Sequence, residues 1–224
     1  MEPAKRLFIS IATSAFFLAV LLVSAGRLSY WQGWVYAAIS LLMSFATQLI
    51  LRNDPDLLRE RSKPGAGAKA WDKNLLGLGL LLTLTTLVIA GLDSGRYHWS
   101  PNLSGIWFIP GLILNLVGMS IFLLALKENR FFSAVVRIQS DRKQTVCKTG
   151  PYKIVRHPGN AGMIIGTMGL PLLFVSFWSA IPVLLSTVIL VIRTHLEDNL
   201  LKEELEGYPD YQHSTRFRLI PGMW

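Results

Sequence analysis

The chain is organised as long apolar runs separated by short polar connections. Four runs stand out, over residues 7–25, 33–51, 75–92 and 105–126. Each approaches the roughly 20 residues that a helix needs to cross a bilayer. Tyr30, Trp31 and Trp34 open the second run, and Trp99 precedes the fourth, where aromatic side chains suit the membrane interface. Residues 159–196 are apolar too but break near Trp178–Pro182, which predicts two further segments of about 16–18 residues each, close to the lower limit for spanning. The connection 53–73 holds Pro55, Pro64, Gly65 and Gly67 and reads as a surface loop with a short helix at 55–61. Beyond residue 194, Leu196, Leu200, Leu201 and Leu205 keep a helical stripe until Gly207 and Pro209 end it. The last membrane helix is therefore predicted to project past the bilayer with Glu197 on its first outer turn.

The fold class this implies is an all-α, polytopic membrane helix bundle of about six transmembrane helices with a C-terminal cytoplasmic helix and tail. Residues 1–126 supply helices one to four. Residues 127–224 supply a loop, a helical hairpin and the tail, and the two parts form one integrated membrane domain. Residues 7–25 follow Lys5 and Arg6, and Val23-Ser24-Ala25 resembles a cleavage site. The run exceeds the roughly 7–15-residue core of a signal peptide, so it reads as an uncleaved first span.

Composition agrees: 51% of the 224 residues are hydrophobic and only 16% charged, against about 25% charged in soluble domains. The net charge of +8 could suggest nucleic acid. The basic residues, however, lie in the connections, so no nucleic-acid partner is expected and the partner surface is the lipid bilayer. With the N-terminus cytoplasmic, 20 of the 22 lysines and arginines fall on one side and only Arg27 and Arg96 on the other. This asymmetry predicts six crossings, both termini inside and every polar motif facing the cytoplasm. Oligomeric state is not legible. Cys147 is the single cysteine, which excludes an internal disulfide, and no metal site is expected.

Two polar sets bracket the final hairpin: Gly150-Pro151-Tyr152 with Arg156-His157-Pro158 before it, and Arg193, Glu197, Tyr208, Tyr211 and Arg218-Leu219-Ile220-Pro221 after it. Charged groups at the rim of a bundle are costly unless paired or used. Arg193 and Glu197, four apart, share a helical face. They are either an exposed salt bridge worth about 0.3–0.5 kcal/mol, or a cation and an anion facing an amino-acid-like ligand. Arg156 and His157 are either interfacial anchors or part of an anion-attracting helix start. Asn129 with Phe131 and Phe132 is either an interfacial anchor or an apolar wall around a planar ligand. Phosphate loops and zinc-protease motifs are absent from the sequence. Ser133 and Cys147 have no evident base beside them in the sequence, and His98 and His213 read as surface residues.

These residues together resemble the isoprenylcysteine carboxyl methyltransferase family. The likeness rests on Asn129-Arg130-Phe131-Phe132-Ser133, Val136-Arg137-Ile138-Gln139, Gly150-Pro151-Tyr152, Val155-Arg156-His157-Pro158, Gly162, Arg193, Glu197-Asp198, Leu201, Gly207-Tyr208, Tyr211 and the Arg218–Gly222 run. It covers roughly the C-terminal half. The resemblance implies an integral membrane enzyme that uses S-adenosylmethionine and methylates a lipophilic or prenylated acceptor, a small molecule or a protein, at the cytoplasmic face. It implies a cofactor held by Gly150, Pro151, Tyr152, Arg156, His157, Pro158, Asn160, Gly162, Glu197, Tyr208 and Tyr211. Asn129, Phe131, Phe132 and Arg193 would meet the acceptor, and Arg193 and Glu197 would be the catalytic pair.

Two positions depart from the family pattern. Asn160 stands where many relatives have tyrosine, which predicts that Asn160→Tyr would keep or raise cofactor affinity. Asp198 stands where relatives have a second glutamate, so its contact is expected to be weaker than that of Glu197. Three other readings remain open from the residues: a phospholipid N-methyltransferase, an NADPH-dependent sterol-reductase-like enzyme that shares the Arg-His-Pro motif, and a non-catalytic membrane scaffold.

Overall fold

The computed structural model describes residues 3–101 and 104–224, and all regular structure among them is helical. Helices α1 (Pro3–Ala25) and α2 (Trp31–Leu51) form a hairpin. A short helix, α3 (Pro55–Ser62), follows with proline in its first turn and with the Asp54 carboxylate accepting from the Leu57 amide at 2.9 Å, a standard N-cap. Next come α4 (Ala70–Ala90), prolonged by one π-helical stretch at Gly91–Tyr97, and α5 (Phe108–Glu128). After an irregular loop the chain forms α6 (Pro158–Met168), α7 (Leu170–Leu173), α8 (Ala180–Glu204) and α9 (Tyr208–Ser214). The short helix expected at 55–61 is present, and α8 ends three residues before Gly207, whose φ of 76° lets the chain turn into α9.

Among the described residues, five helices are long and apolar enough to cross a membrane: Lys5–Ala25, Trp31–Leu51, Ala70–Tyr97, Gly105–Glu128 and Ala180–Glu204. Their outward faces carry exposed Phe8, Phe45, Leu81, Ile113 and Leu184, the surface of a chain solvated by lipid. The fifth of the six expected spans is not a single long helix. Gly169 and Pro171 interrupt it after the 11 residues of α6, and α6 alone rises only about 16 Å. Residues 158–173 instead lie along α5 as a kinked pair. Gly159 approaches Ala125, Gly162 approaches Phe122, Gly169 approaches Asn115, and Leu173 approaches Gly111. The segment therefore runs antiparallel to α5 for most of its length.

The two ends of the bundle are chemically distinct. At one end Asp93 is fully buried and accepts from Ser100 N (2.7 Å), Ser100 Oγ (2.6 Å) and Ser176 Oγ (2.6 Å). Tyr30 bonds Ser94 at 2.8 Å beside it. This set ties the end of α4 to the tight turn between α7 and α8. At the other end, about 30 Å of helical rise away, Asp72 opens α4 and bonds Arg193 of α8 at 2.7 Å. α4 and α8 are thus antiparallel neighbours. Twenty of the 22 lysines and arginines belong to segments at the Asp72 end.

Small residues set the closest approach in the molecule. A Cβ on Gly162 would lie 2.6 Å from the Gly118 carbonyl oxygen and 2.7 Å from the Phe122 nitrogen. Gly162 and Gly166, four apart, thus form the small-residue face on which α5 rests, as membrane helices often do in the absence of an internal hydrophobic drive. Gly162, which the resemblance implies for the cofactor site, stands in a helix crossing where only glycine permits this backbone separation, and it also borders a cavity. Gly162→Val should lower the apparent melting temperature in detergent, by about 1–3 kcal/mol of overpacking. Thermal unfolding followed by intrinsic fluorescence reads this directly.

Candidate functional site

At the Asp72 end the loop 129–157, the start of α6, the outer part of α8 and α9 enclose a chamber of about 230 Å³. Of the residues singled out in the sequence, Asn129, Phe131, Phe132, Tyr152, Arg156 and His157 line it from the loop side. Asn160, Arg193, Glu197, Tyr208 and Tyr211 line it from the helices. Two polar sets separated by a hydrophobic hairpin in the sequence therefore meet in space.

Asp198 is the centre of that meeting. Its side chain is 0% exposed. Oδ1 accepts from Arg156 Nε at 2.8 Å and from the Tyr208 hydroxyl at 2.8 Å, and lies 3.0 Å from His157 Nε2. Oδ2 accepts from Arg156 Nη2 at 3.0 Å, Arg218 Nε at 2.8 Å and Gln212 Nε2 at 3.2 Å. The shorter aspartate fits inside the cage where Arg156, His157, Tyr208 and Arg218 converge. Burial lowers the Arg156 guanidinium affinity for its proton, and the Asp198 carboxylate more than offsets this, for a net rise. Burial and then the charge of Asp198 push the Tyr208 hydroxyl far above its ordinary pKa, so it remains a donor. Arg156 Nη1 also donates to the carbonyls of Thr215 and Arg216 at 2.9 and 2.6 Å. Arg156 thus borders the chamber while its donors are committed to the tail.

Arg193 and Glu197 share a face, as expected, but are not a tight pair. Arg193 Nη1 is 3.8 Å from Glu197 Oε2. Its close partner is Asp72, 0% exposed, whose Oδ1 takes the Nε–H at 2.7 Å. Asn160 joins the two. Its Oδ1 accepts from Arg193 Nη1 at 3.3 Å, and its Nδ2 donates to Thr194 Oγ1 and Glu197 Oε2 at 3.1 Å each. Glu197 keeps a side chain 26% exposed and a carboxylate with His157 Nδ1 3.8 Å away. It is the partly uncovered anion of the chamber.

The chamber wall is held by a second buried pair. Arg137 Nε and Nη2 donate to Glu60 Oε1 and Oε2 at 2.8 and 2.7 Å, a bidentate bond between α3 and the loop. Arg137 Nη1 also reaches Asp141 at 2.8 Å. The bond from Arg137 holds the Glu60 carboxyl below its ordinary range, against burial, with help from Ser133 and the Gly65 amide. Arg61 donates to the Phe132 carbonyl at 2.9 Å and lies 5.5 Å over its ring. Asn129 folds its own turn, accepting from the Phe131 amide at 2.9 Å, and donates to the Tyr152 hydroxyl at 3.3 Å.

Four expected residues lie off the chamber wall. Gly150 takes φ +55° where a Cβ would meet Glu128, and Pro151 follows it in the same turn. Pro158 is the first residue of α6, a position where its missing N–H costs nothing. Gly162 is the helix crossing described above. These four shape backbone rather than line the chamber. Cys147 borders the chamber, and burial raises its thiol pKa, which keeps it a poor nucleophile.

Sequence reasoning gave no role to the acids Asp72 and Glu60, and it named Asp198 only as a position of the family pattern. Asp72, Asp198 and Glu60 are the buried counter-ions, and each sits in a helix among residues that read as capping or surface charge. A usable signal existed for Asp72: an acid at the start of an apolar helix, where the helix end also favours a negative charge. Its partner, 121 residues away, carries no sequence mark.

Below the chamber lies a second cavity of about 540 Å³ among α2, α4, α5, α6 and α8. Leu76, Phe122, Met163 and Arg193 border both cavities. Together the two fall in the range of about 300–1,000 Å³ usual for small-molecule sites.

Fold and site define a polytopic membrane protein with a charged chamber at its basic end that shares a wall with an apolar cavity among the helices. The family resemblance read from the motifs is borne out: residues 109–203 match the model of the isoprenylcysteine carboxyl methyltransferase (ICMT) family. Two curated relatives, from Oryza sativa subsp. indica and subsp. japonica, each carry the name "Probable protein-S-isoprenylcysteine O-methyltransferase". Each is 33% identical to this chain over 72 residues, which is 31% of this chain and 38% of the relative. The matched region spans well under half of the relatives' length.

Glu60→Gln should destabilise the detergent-solubilised protein at pH 7, by about 3–5 kcal/mol if the buried pair is broken outright. A carboxyl with a depressed folded pKa contributes stability that is complete above its unfolded value and lost as pH falls through the folded one. The wild-type advantage should therefore narrow below about pH 4.5, as read from melting curves of both proteins. Asn160 is 6% exposed with both ends of its amide engaged. In contrast to the expectation from sequence, Asn160→Tyr should break the link between Arg193 and Glu197. Ligand binding in the chamber should weaken by about tenfold, the equivalent of about 1.4 kcal/mol, measured by calorimetry.

Proposed function

We propose that this chain is a membrane-embedded carboxyl methyltransferase, using S-adenosylmethionine and acting on a lipophilic acceptor of the prenylcysteine type at the cytoplasmic face. The observation that carries this reading is the junction at Arg193, where a polar chamber meets an apolar intramembrane cavity. An acceptor with a carboxylate head and a hydrocarbon tail suits such a junction: head to the guanidinium, tail into the cavity. The family match and the names of the rice relatives support the reaction class. The loading of lysine and arginine at the chamber end supports a cytoplasmic site, cytoplasmic termini and six crossings, the kinked α6–α7 segment being the fifth.

The chamber residues fit the cofactor. S-adenosylmethionine has a cationic amino-acid end and a planar base, and the chamber offers the partly uncovered Glu197 carboxylate, His157, and the aromatic faces of Phe131 and Phe132. Glu197, His157, Tyr152 and Asn160 would hold it. When bound it supplies an electrophilic methyl group on sulfur. The remaining work falls to the chain. An acceptor carboxylate, with an ordinary pKa of about 3.5, is ionised at neutral pH and needs no general base. Arg193 orients that carboxylate; alignment of this kind can supply up to about 7–11 kcal/mol in favourable cases. Leu76, Phe122 and Met163 at the junction keep water away.

Calorimetry on the detergent-solubilised protein should give saturable binding of S-adenosylmethionine, competed by S-adenosylhomocysteine. Glu197→Gln should weaken it about ten- to a hundredfold, the range for loss of a charge-assisted hydrogen bond of about 1.5–3 kcal/mol. Binding of NADPH in place of S-adenosylmethionine would overturn the methyltransferase reading in favour of a reductase.

A further inference from the structure

We infer that Asp72, in the half of the chain outside the family match, is a positioning residue for the acceptor carboxylate, acting through Arg193. This rests on the function proposed above and names the part of the site that sets acceptor geometry. The observation is a single buried carboxylate that serves two elements of the chamber. Oδ1 takes the Arg193 Nε–H at 2.7 Å, and Oδ2 takes the Val136 amide N–H at 2.7 Å. Asp72 is 0% exposed, and it stands on the first turn of α4, where the helix end favours an anion.

An arginine on its flexible stem is a poor aiming device until its plane is fixed. Asp72 fixes it at Nε, and Asn160 Oδ1 fixes its rotation at Nη1, 3.3 Å away. Nη2 has no protein hydrogen-bond partner among the described residues. The edge between Nη1 and Nη2 is left to take a carboxylate two-pronged. The second bond, to Val136, places the loop that carries Phe131 and Phe132 relative to the same guanidinium. The head of the acceptor and the wall beside it are thus registered by one side chain. Asp72 also neutralises Arg193 before any ligand arrives. An acceptor carboxylate then meets an oriented donor fork rather than an uncompensated cation, which would hold the ground state tightly and blunt its attack.

The test uses binding rather than turnover. Wild-type and Asp72→Asn proteins, loaded with S-adenosylhomocysteine, are titrated with N-acetyl-S-farnesylcysteine and separately with its methyl ester, which lacks the carboxylate. Asp72→Asn is expected to weaken binding of the acid by about tenfold and of the ester by no more than about twofold, with S-adenosylhomocysteine affinity unchanged. In an Arg193→Lys background the same substitution should add little, because the two residues act as one unit. Equal weakening of acid and ester, unchanged binding of both, or a full additive loss beside Arg193→Lys would each overturn the positioning role while leaving the methyltransferase reading in place. A wild-type protein that binds no S-adenosylhomocysteine would overturn that reading and this inference with it. Should Asp72→Asn fail to fold, Asp72→Glu keeps the charge and displaces it by one methylene, and the same acid-to-ester comparison applies. Failure of both to fold would make Asp72 a folding residue and overturn the proposal.

Discussion

The architecture of the chamber end depends on the burial of Asp198. An uncompensated carboxylate inside a bundle would be strongly unfavourable, and this one is compensated from three directions: the segment before α6, α9 and the tail. Removing one partner of such a set leaves a buried charge, which is why assemblies of this kind are cooperative rather than additive. Arg156 reaches from Asp198 to the carbonyls of Thr215 and Arg216, so the tail beyond α9 is tied to the same point. The wall formed by α9 and the position of His157 are consequences of one ionic cage.

The other buried pairs extend the logic toward the N-terminus. Asp72 with Arg193 and Glu60 with Arg137 both join the first half of the chain to the second. Replacing such pairs by apolar residues can be neutral for stability in general, so stability is a weak reason for their presence. Geometry is a stronger one. Each pair fixes an element of the chamber wall at a distance that lipid-facing leucines, packed without direction, would leave free. The N-terminal helices therefore contribute to the proposed site itself as well as to membrane anchorage.

The hydrophobic part of the fold obeys different rules. Glycines at 111, 118, 162, 166 and 169 bring the backbone of α5 against the kinked α6–α7 segment. That contact draws the start of α6, with His157 and Asn160, up against Phe132 and the chamber. The larger cavity lies beside that contact, bordered by Gly118, Gly162 and Gly166 of the contact and by α2, α4 and α8. A bundle held by polar clamps at both ends and by glycine contacts along one flank can keep an apolar space open in its middle.

The sequence by itself determined the helical membrane character, the position of the long apolar spans, the short helix after Pro55 and the family resemblance of the C-terminal half. Hydropathy, proline and glycine act locally, so their consequences are legible locally. The polar sets around the final hairpin and the family resemblance together named eleven candidate site residues that line the chamber, from Asn129 to Tyr211. Only the tertiary structure decided who pairs with whom. Arg193 and Glu197 looked like partners at helical spacing, yet Arg193 turns to Asp72, and Asp198 rather than Glu197 holds the cage. Gly162, expected at the ligand, is also packed in a helix contact. The reason is common to all three: a buried charge or a close backbone approach is satisfied by whatever packing brings near, and separations of 121 or 42 residues leave no periodic trace in the chain.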